Sequence, residues 1–156
     1  SITIPLLEES SLTDNQLRAQ FITHMVEIGL CHPNIQFSFE AELESTKLME
    51  LVNAAPNFYV TYDTGNITSC GFSHEDYIQD VGERINNVHL KDRTFDAQTV
   101  FPGYGDTDFS AIFKELKKIK YGGPCILQTA RGPEGHERAT ITLHKRILEN
   151  LYEKCV

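Results

Sequence analysis

Short apolar runs alternate along this chain with stretches in which apolar residues return every three or four positions, the mark of strands and amphipathic helices in turn. Residues 2–7 predict a strand. Thr13-Asp14-Asn15-Gln16 then has the form of a capping box. Leu17, Phe21, Met25 and Ile28 follow at helical spacing, and Gly29 reads as the stop. A second strand is expected at 35–39, and a helix at about 44–54 with Leu48, Leu51, Val52 and Ala55 inward, ended by Pro56. The β-branched and aromatic run 58–62 is a third strand. Ser73 can cap a helix carrying Tyr77, Ile78, Val81 and Ile85. Residues 87–90 make a short strand, and 93–107 read as a long loop containing Pro102, Gly103 and Gly105. Asp108 or Ser110 can start a helix with Ile112, Phe113, Leu116 and Ile119 inward, stopped by Gly122 and Gly123. A last strand at 125–127 precedes a helix lined by Ile141, His144, Ile147, Leu148 and Leu151.

Five βα units in series imply an α/β fold with a parallel sheet and right-handed crossovers. The length, 156 residues, fits one domain, 1–156. It is too short for an eight-stranded (β/α) barrel, which takes about 250 residues. A (β/α) barrel built from these units alone would therefore be incomplete. An open sheet leaves raw edges and an uncovered apolar face, so self-association or pairing with the missing barrel units is expected. The chain opens on Ser1 and enters a strand at once, which suggests a piece of a longer protein.

Composition narrows the function. The net charge of −8 argues against a nucleic-acid partner, which calls for a basic surface. No apolar stretch approaches the roughly 20 residues of a membrane span, and no basic segment leads into an apolar one at the start. Cys31, Cys70, Cys125 and Cys155 are widely spaced and read as reduced thiols of a cytoplasmic protein. A small polar substrate held through a divalent cation suits such a chain.

The candidate chemistry sits at the strand ends. In parallel α/β folds, ligands bind beyond the carboxyl ends of the strands. Glu40, Asp63, His89 and Gln128 all fall there, 23, 26 and 39 residues apart, about one βα unit each. Two carboxylates, an imidazole and an amide oxygen suit one divalent ion: Mn²⁺, Mg²⁺, Co²⁺ or Zn²⁺. Each residue also has a plainer reading: a strand-end Glu caps or is solvated, Asp63 caps a turn, His89 is a hydrogen-bonded core histidine. Lys91 points the way His89 does, by strand alternation, and could meet a substrate hydroxyl or phosphate. Arg131 follows the last strand, where barrels often hold phosphate. Glu8 ends the first strand and could reach a substrate. Arg93 and Tyr104 could belong to a lid loop. His24, His32, His74, His136 and His144 read as structural or solvated.

Several motifs then point further: Tyr-Asp-Thr-Gly-Asn at 62–66, Val-His-Leu-Lys-Asp-Arg at 88–93, Gly-Tyr-Gly-Asp-Thr-Asp-Phe at 103–109 and Tyr-Gly-Gly-Pro-Cys-Ile-Leu-Gln-Thr-Ala-Arg at 121–131. With Ile4-Pro5-Leu6-Leu7-Glu8 and Phe39-Glu40, they make the chain resemble the sugar isomerase/epimerase superfamily with the xylose isomerase-like TIM barrel. The resemblance aligns residues 2–7 with the fourth barrel strand. It implies a divalent cation on Glu40, Asp63, His89 and Gln128, and a proton shuttled by carboxylates beside a substrate carbonyl. The substrate would be a sugar or sugar phosphate. Two positions depart from the superfamily pattern. Gln128 replaces a second glutamate; it can ligate but cannot exchange a proton. Asn66, read as a substrate contact, stands where many relatives have His.

Two other functions are compatible with parts of the sequence. An endonuclease IV type of DNA-repair enzyme shares the barrel but uses a His-rich zinc cluster, and Asn66 and the charge argue against it. A non-catalytic barrel serving as a binding or scaffold module is favoured by Gln128 and the missing units.

Overall fold

The computed structural model describes residues 1–155. In chain order the strands are β1 (Ile2–Leu6), β2 (Phe37–Ala41), β3 (Phe58–Asp63), β4 (Ile85–Leu90), the two-residue β5 (Asp92–Arg93) and β6 (Thr99–Val100), and β7 (Cys125–Leu127). The helices are α1 (Asn15–Cys31), α2 (Ser45–Val52), α3 (Thr64–Ser69), α4 (His74–Val81), α5 (Phe109–Lys118) and α6 (Glu137–Cys155). Five strands form one all-parallel sheet, β1-β2-β3-β4-β7, in which spatial order follows chain order. With right-handed crossovers, such a sheet collects its helices on one face. This is a run of (β/α) barrel units with β1 and β7 as open edges.

Alternation sorts the strand residues between two faces. Phe37 and Phe39 on β2 and Phe58 on β3 point to the helices, where Phe21 of α1, Phe39 and Phe58 meet edge to face at centroid distances of 6.2 and 5.2 Å. Phe39, Phe58, Leu51 and Val52 are fully buried. Truncating Phe39 to Ala would cost about 3–5 kcal/mol. The opposite face differs in character. Barrel interiors are usually packed with branched apolar side chains; here Thr3, Ser38, Thr61 and Asn87 form a hydrogen-bonded polar layer. Ser38 Oγ lies 2.6 Å from Thr61 Oγ1, Thr3 Oγ1 lies 3.3 Å from it, and Asn87 Nδ2 donates to Thr61 Oγ1 at 2.9 Å. Glu40, Asp63 and His89 stand two residues further along the same face.

Several local expectations shift. Asp14, not Thr13, caps α1, accepting from Leu17 N at 2.7 Å. The helix runs past Gly29 to Cys31, and Leu17 and Ile28 are exposed rather than inward. β2 lies two residues later than expected, so Glu40 sits inside the strand instead of closing it. Of the apolar stripe expected on α6, Ile141 is exposed, while His144 and Leu148 are buried. Ser73 and Asp108 cap α4 and α5. The segment 93–107 is knitted rather than loose. β5 and β6 pair antiparallel, and the buried Asp92 carboxylate accepts from the backbone N–H groups of Gly103, Gly105 and Thr107 at 2.7, 3.0 and 3.3 Å.

Candidate metal centre

Three neighbouring strands deliver the site. Glu40 of β2, Asp63 of β3 and His89 of β4 are all buried. One potential ligand atom from each lies within 4.8 Å of the others. His89 Nδ1 stands 3.3 Å from Glu40 Oε2 and 3.8 Å from Asp63 Oδ2. Register explains the convergence. Phe39 pairs with Val60, placing Glu40 beside Thr61, two residues below Asp63; Asp63 pairs directly with His89. Such stagger is the shear that barrel strands require. His89 in turn pairs with Ile126, so Gln128 lies two residues further up β7's path. The step from Glu40 to Gln128 thus runs two, zero and two residues, in keeping with the climb of a barrel.

The Asp63-Thr64-Gly65-Asn66 segment builds one side. Asp63 is the N-cap of the short helix α3, its Oδ1 accepting from Asn66 N at 2.9 Å. The capping expectation and the ligand expectation therefore fall on different oxygens of one carboxylate. Thr64 Oγ1 donates to Lys91 O at 2.6 Å and accepts from Lys91 N at 2.9 Å, clamping α3 to the end of β4. A Cβ at Gly65 would stand 2.8 Å from Cγ and Cδ of Lys91, so glycine lets that stem pass. Lys91 Nζ reaches Asp63 Oδ2 at 2.9 Å. The contact is an ion pair by distance, without hydrogen-bond alignment, and Oδ2 remains among the buried atoms lacking a hydrogen-bond partner. His89 Nδ1 and Asn66 Oδ1 are two more.

Unsatisfied buried polar atoms are rare and call for an explanation. Here an acceptor oxygen, a ring nitrogen and a neighbouring carboxylate turn toward one point. Two carboxylates against one ammonium leave net negative charge in a buried place, a cost that a bound cation would relieve. Burial pushes the Glu40 carboxyl up, but His89 and the charge of Lys91 outweigh it and hold it below its usual range. At Asp63 burial wins and carries the carboxyl above its usual range despite Lys91 and the Asn66 amide. The donor set fits a divalent ion of the hard or borderline kind.

The other sequence candidates lie apart from this cluster or in different roles. Lys91 is buried against Asp63. Gln128 is exposed and, with Arg131 and Glu137, lines a cleft of about 640 Å³. Glu8 is exposed, in a left-handed conformation (φ 52°), its N–H donating to Glu42 Oε2. Arg93 reaches Ser69 Oγ at 3.3 Å and Glu42 Oε1 at 3.5 Å, so it braces α3 against the end of β2. Tyr104 points into solvent at 80% exposure. Thr64, Gly65 and Glu42 were not singled out from sequence; only the Thr-Gly pair inside a motif marked the first two.

Residues 18–149 match the family described as xylose isomerase-like TIM barrel. The chain belongs to that family. Among similar proteins, the inosose dehydratase of Geobacillus kaustophilus (strain HTA426) is 30% identical over 146 residues, covering 81% of this chain and 47% of that protein. The crystal structure of IolI protein with a zinc atom superposes with a TM-score of 0.80 at 18% identity, over 99% of this chain and 63% of that one. D-allulose 3-epimerase from Methylomonas sp. in complex with D-allulose gives 0.70 at 17%, over 90% and 56%. The family member described here thus spans about half the length of the curated relative it matches, and the solved structures confirm the fold. Among the described residues, no helix is long and apolar enough to cross a membrane.

Proposed function

We propose that this chain carries the divalent-metal centre of an isomerase or epimerase acting on a sugar or sugar phosphate. One observation carries the reading: Glu40, Asp63 and His89 turn one potential ligand atom each toward a common point while buried, two of those atoms lacking a hydrogen-bond partner. Gln128, by its place in the barrel climb, would be the fourth ligand through its amide oxygen. A cation held there supplies Lewis-acid polarisation of a carbonyl or hydroxyl oxygen. Glu40, held in its charged form, is the group that takes a proton from the carbon beside the carbonyl and returns it. Asn66 Oδ1 is a bare acceptor for a substrate hydroxyl. Arg131, on the exposed cleft beside Gln128, suits a phosphate or other anionic end. The zinc-bound neighbour supports the metal, the D-allulose-bound neighbour supports a small polyhydroxy substrate, and the inosose dehydratase match supports the same first step. Removal of water from a hydroxyketone also begins with loss of a proton next to the carbonyl. A cytoplasmic location is proposed with the rest.

A second reading keeps the fold without turnover, as a binding or scaffold module. Gln128 favours it, because a neutral amide removes the second proton-transfer group. Calorimetric titration with Mn²⁺ and Zn²⁺ tests the site directly. His89→Ala should weaken binding, and Gln128→Glu should tighten it by adding an anionic ligand. Superimposable titrations of wild type and His89→Ala would remove His89 from the site and with it the enzyme reading.

A further inference from the structure

We propose that Asn66 is the positioning residue of this metal centre, fixing which oxygen of each carboxylate is presented to the ion. The inference rests on the metal reading above. Asn66 is 1% exposed and touches both carboxylates at once. Its backbone N–H donates to Asp63 Oδ1 at 2.9 Å, and its side-chain Nδ2 donates to Glu40 Oε1 at 3.0 Å. The amide orientation follows from chemistry: a carboxylate only accepts, so the nitrogen must face Glu40. With Oδ1 of Asp63 and Oε1 of Glu40 both taken by Asn66, Oδ2 and Oε2 are the oxygens turned toward the site, Oδ2 with Lys91 Nζ 2.9 Å away. These are the two that face His89 Nδ1, at 3.8 and 3.3 Å. One residue therefore holds two ligands from different strands in a single pair of rotamers. Groups that orient metal ligands in this way are part of the site's affinity, and their loss typically costs roughly 10–100-fold.

The two arms of Asn66 are separable. Its backbone N–H survives any non-proline substitution, so a side-chain change acts on Glu40 alone. Asn66→Leu keeps the branched outline and removes the donor; Asn66→Ala is the second variant should the bulkier Leu not be accommodated. Each is combined with Glu40→Ala, and Co²⁺ affinity is read from its visible absorption, with folding checked by circular dichroism. Loss of Nδ2 should weaken Co²⁺ binding roughly 10–100-fold with Glu40 present, and alter the shape of the Co²⁺ spectrum. With Glu40 absent the same change should be almost silent, because the group it acts through is gone. An equal loss in both backgrounds, or unfolding of both variants, would assign Asn66 to general packing and overturn the inference alone. Failure of the wild-type chain to bind Co²⁺ would overturn the metal reading, and the inference with it.

Discussion

Lowering the pH should loosen the helix that presents Asn66, and His74 is the reason. His74 is 9% exposed and bridges β3 to α3: its Nδ1 lies 2.6 Å from Tyr62 Oη and its Nε2 3.0 Å from Thr68 Oγ1. The Thr68 hydroxyl already donates to Thr64 O at 2.8 Å. Nε2 must therefore carry the proton, and Nδ1 accepts from the buried tyrosine. Protonating Nδ1 destroys that acceptor and places a charge in the core. Burial accordingly lowers the pKa of His74 from 6.5 to about 4. Above pH 6.5 both folded and unfolded chains hold it neutral, and it contributes no pH dependence. As pH falls from 6.5 toward 4, the unfolded chain takes up a proton that the folded one refuses, so stability falls; below about 4 the loss is complete. At about 1.4 kcal/mol per pH unit the total is about 3 kcal/mol. In His74→Gln the Tyr62 and Thr68 contacts are weakened, at about 1–2 kcal/mol near neutrality, but the acid-dependent share disappears. Urea unfolding at pH 7.5 and pH 4 should find the variant less stable than wild type at the first pH and no less stable at the second. A wild-type advantage of the same size at both values would refute the reasoning.

Gly105→Ala should damage the knitted segment. Its Cβ would collide with Asp92 Oδ1 and stand 2.7 Å from the Arg93 carbonyl, at a cost of about 1–3 kcal/mol; an unchanged melting temperature and unchanged protease resistance between residues 94 and 107 would contradict this. The open edges carry exposed apolar side chains, Ile2 on β1 at 48% and Ile126 on β7 at 46%. This chain alone should therefore sediment as a dimer or larger assembly, and a clean monomer would count against it. A chelator should lower the melting temperature of the metal-loaded chain, since a ligand of the folded state stabilises it by mass action; equal melting with and without the chelator would speak against a tightly held ion.

The order of strands and helices was legible because apolar periodicity changes from two to about three and a half at each boundary. What escaped was set by contacts distant in sequence. β2 was read as ending at Phe39, yet alternation of Phe37, Ser38, Phe39, Glu40 and Ala41 continues while the strand has neighbours on both sides. Helix α3 has no apolar stripe and contains Thr, Gly and Asn, poor helix formers; it exists through the Asp63 cap and the Thr64 clamp. The segment 93–107 reads as a long loop by length and composition, and only the fold shows Asp92 gathering its amides. The shift in register between Val60 and Thr61 also has no sequence signal. Glu40, Asp63 and His89 could be picked out from strand-end positions, but which oxygen faces which neighbour depends on Asn66.

Glu40, Asp63 and His89 come from three successive strands, within 50 residues of chain. Their meeting needs β2, β3 and β4 and neither edge of the sheet. Contacts this close in sequence form early and at small loop-closure cost. During synthesis the three groups could gather before β7 leaves the ribosome. A one-residue slip of β2 would turn Glu40 to the helix side and bring Phe39 or Ala41 in its place. Cation uptake would then report that the central strands had found their register, and would stabilise that register against its alternatives.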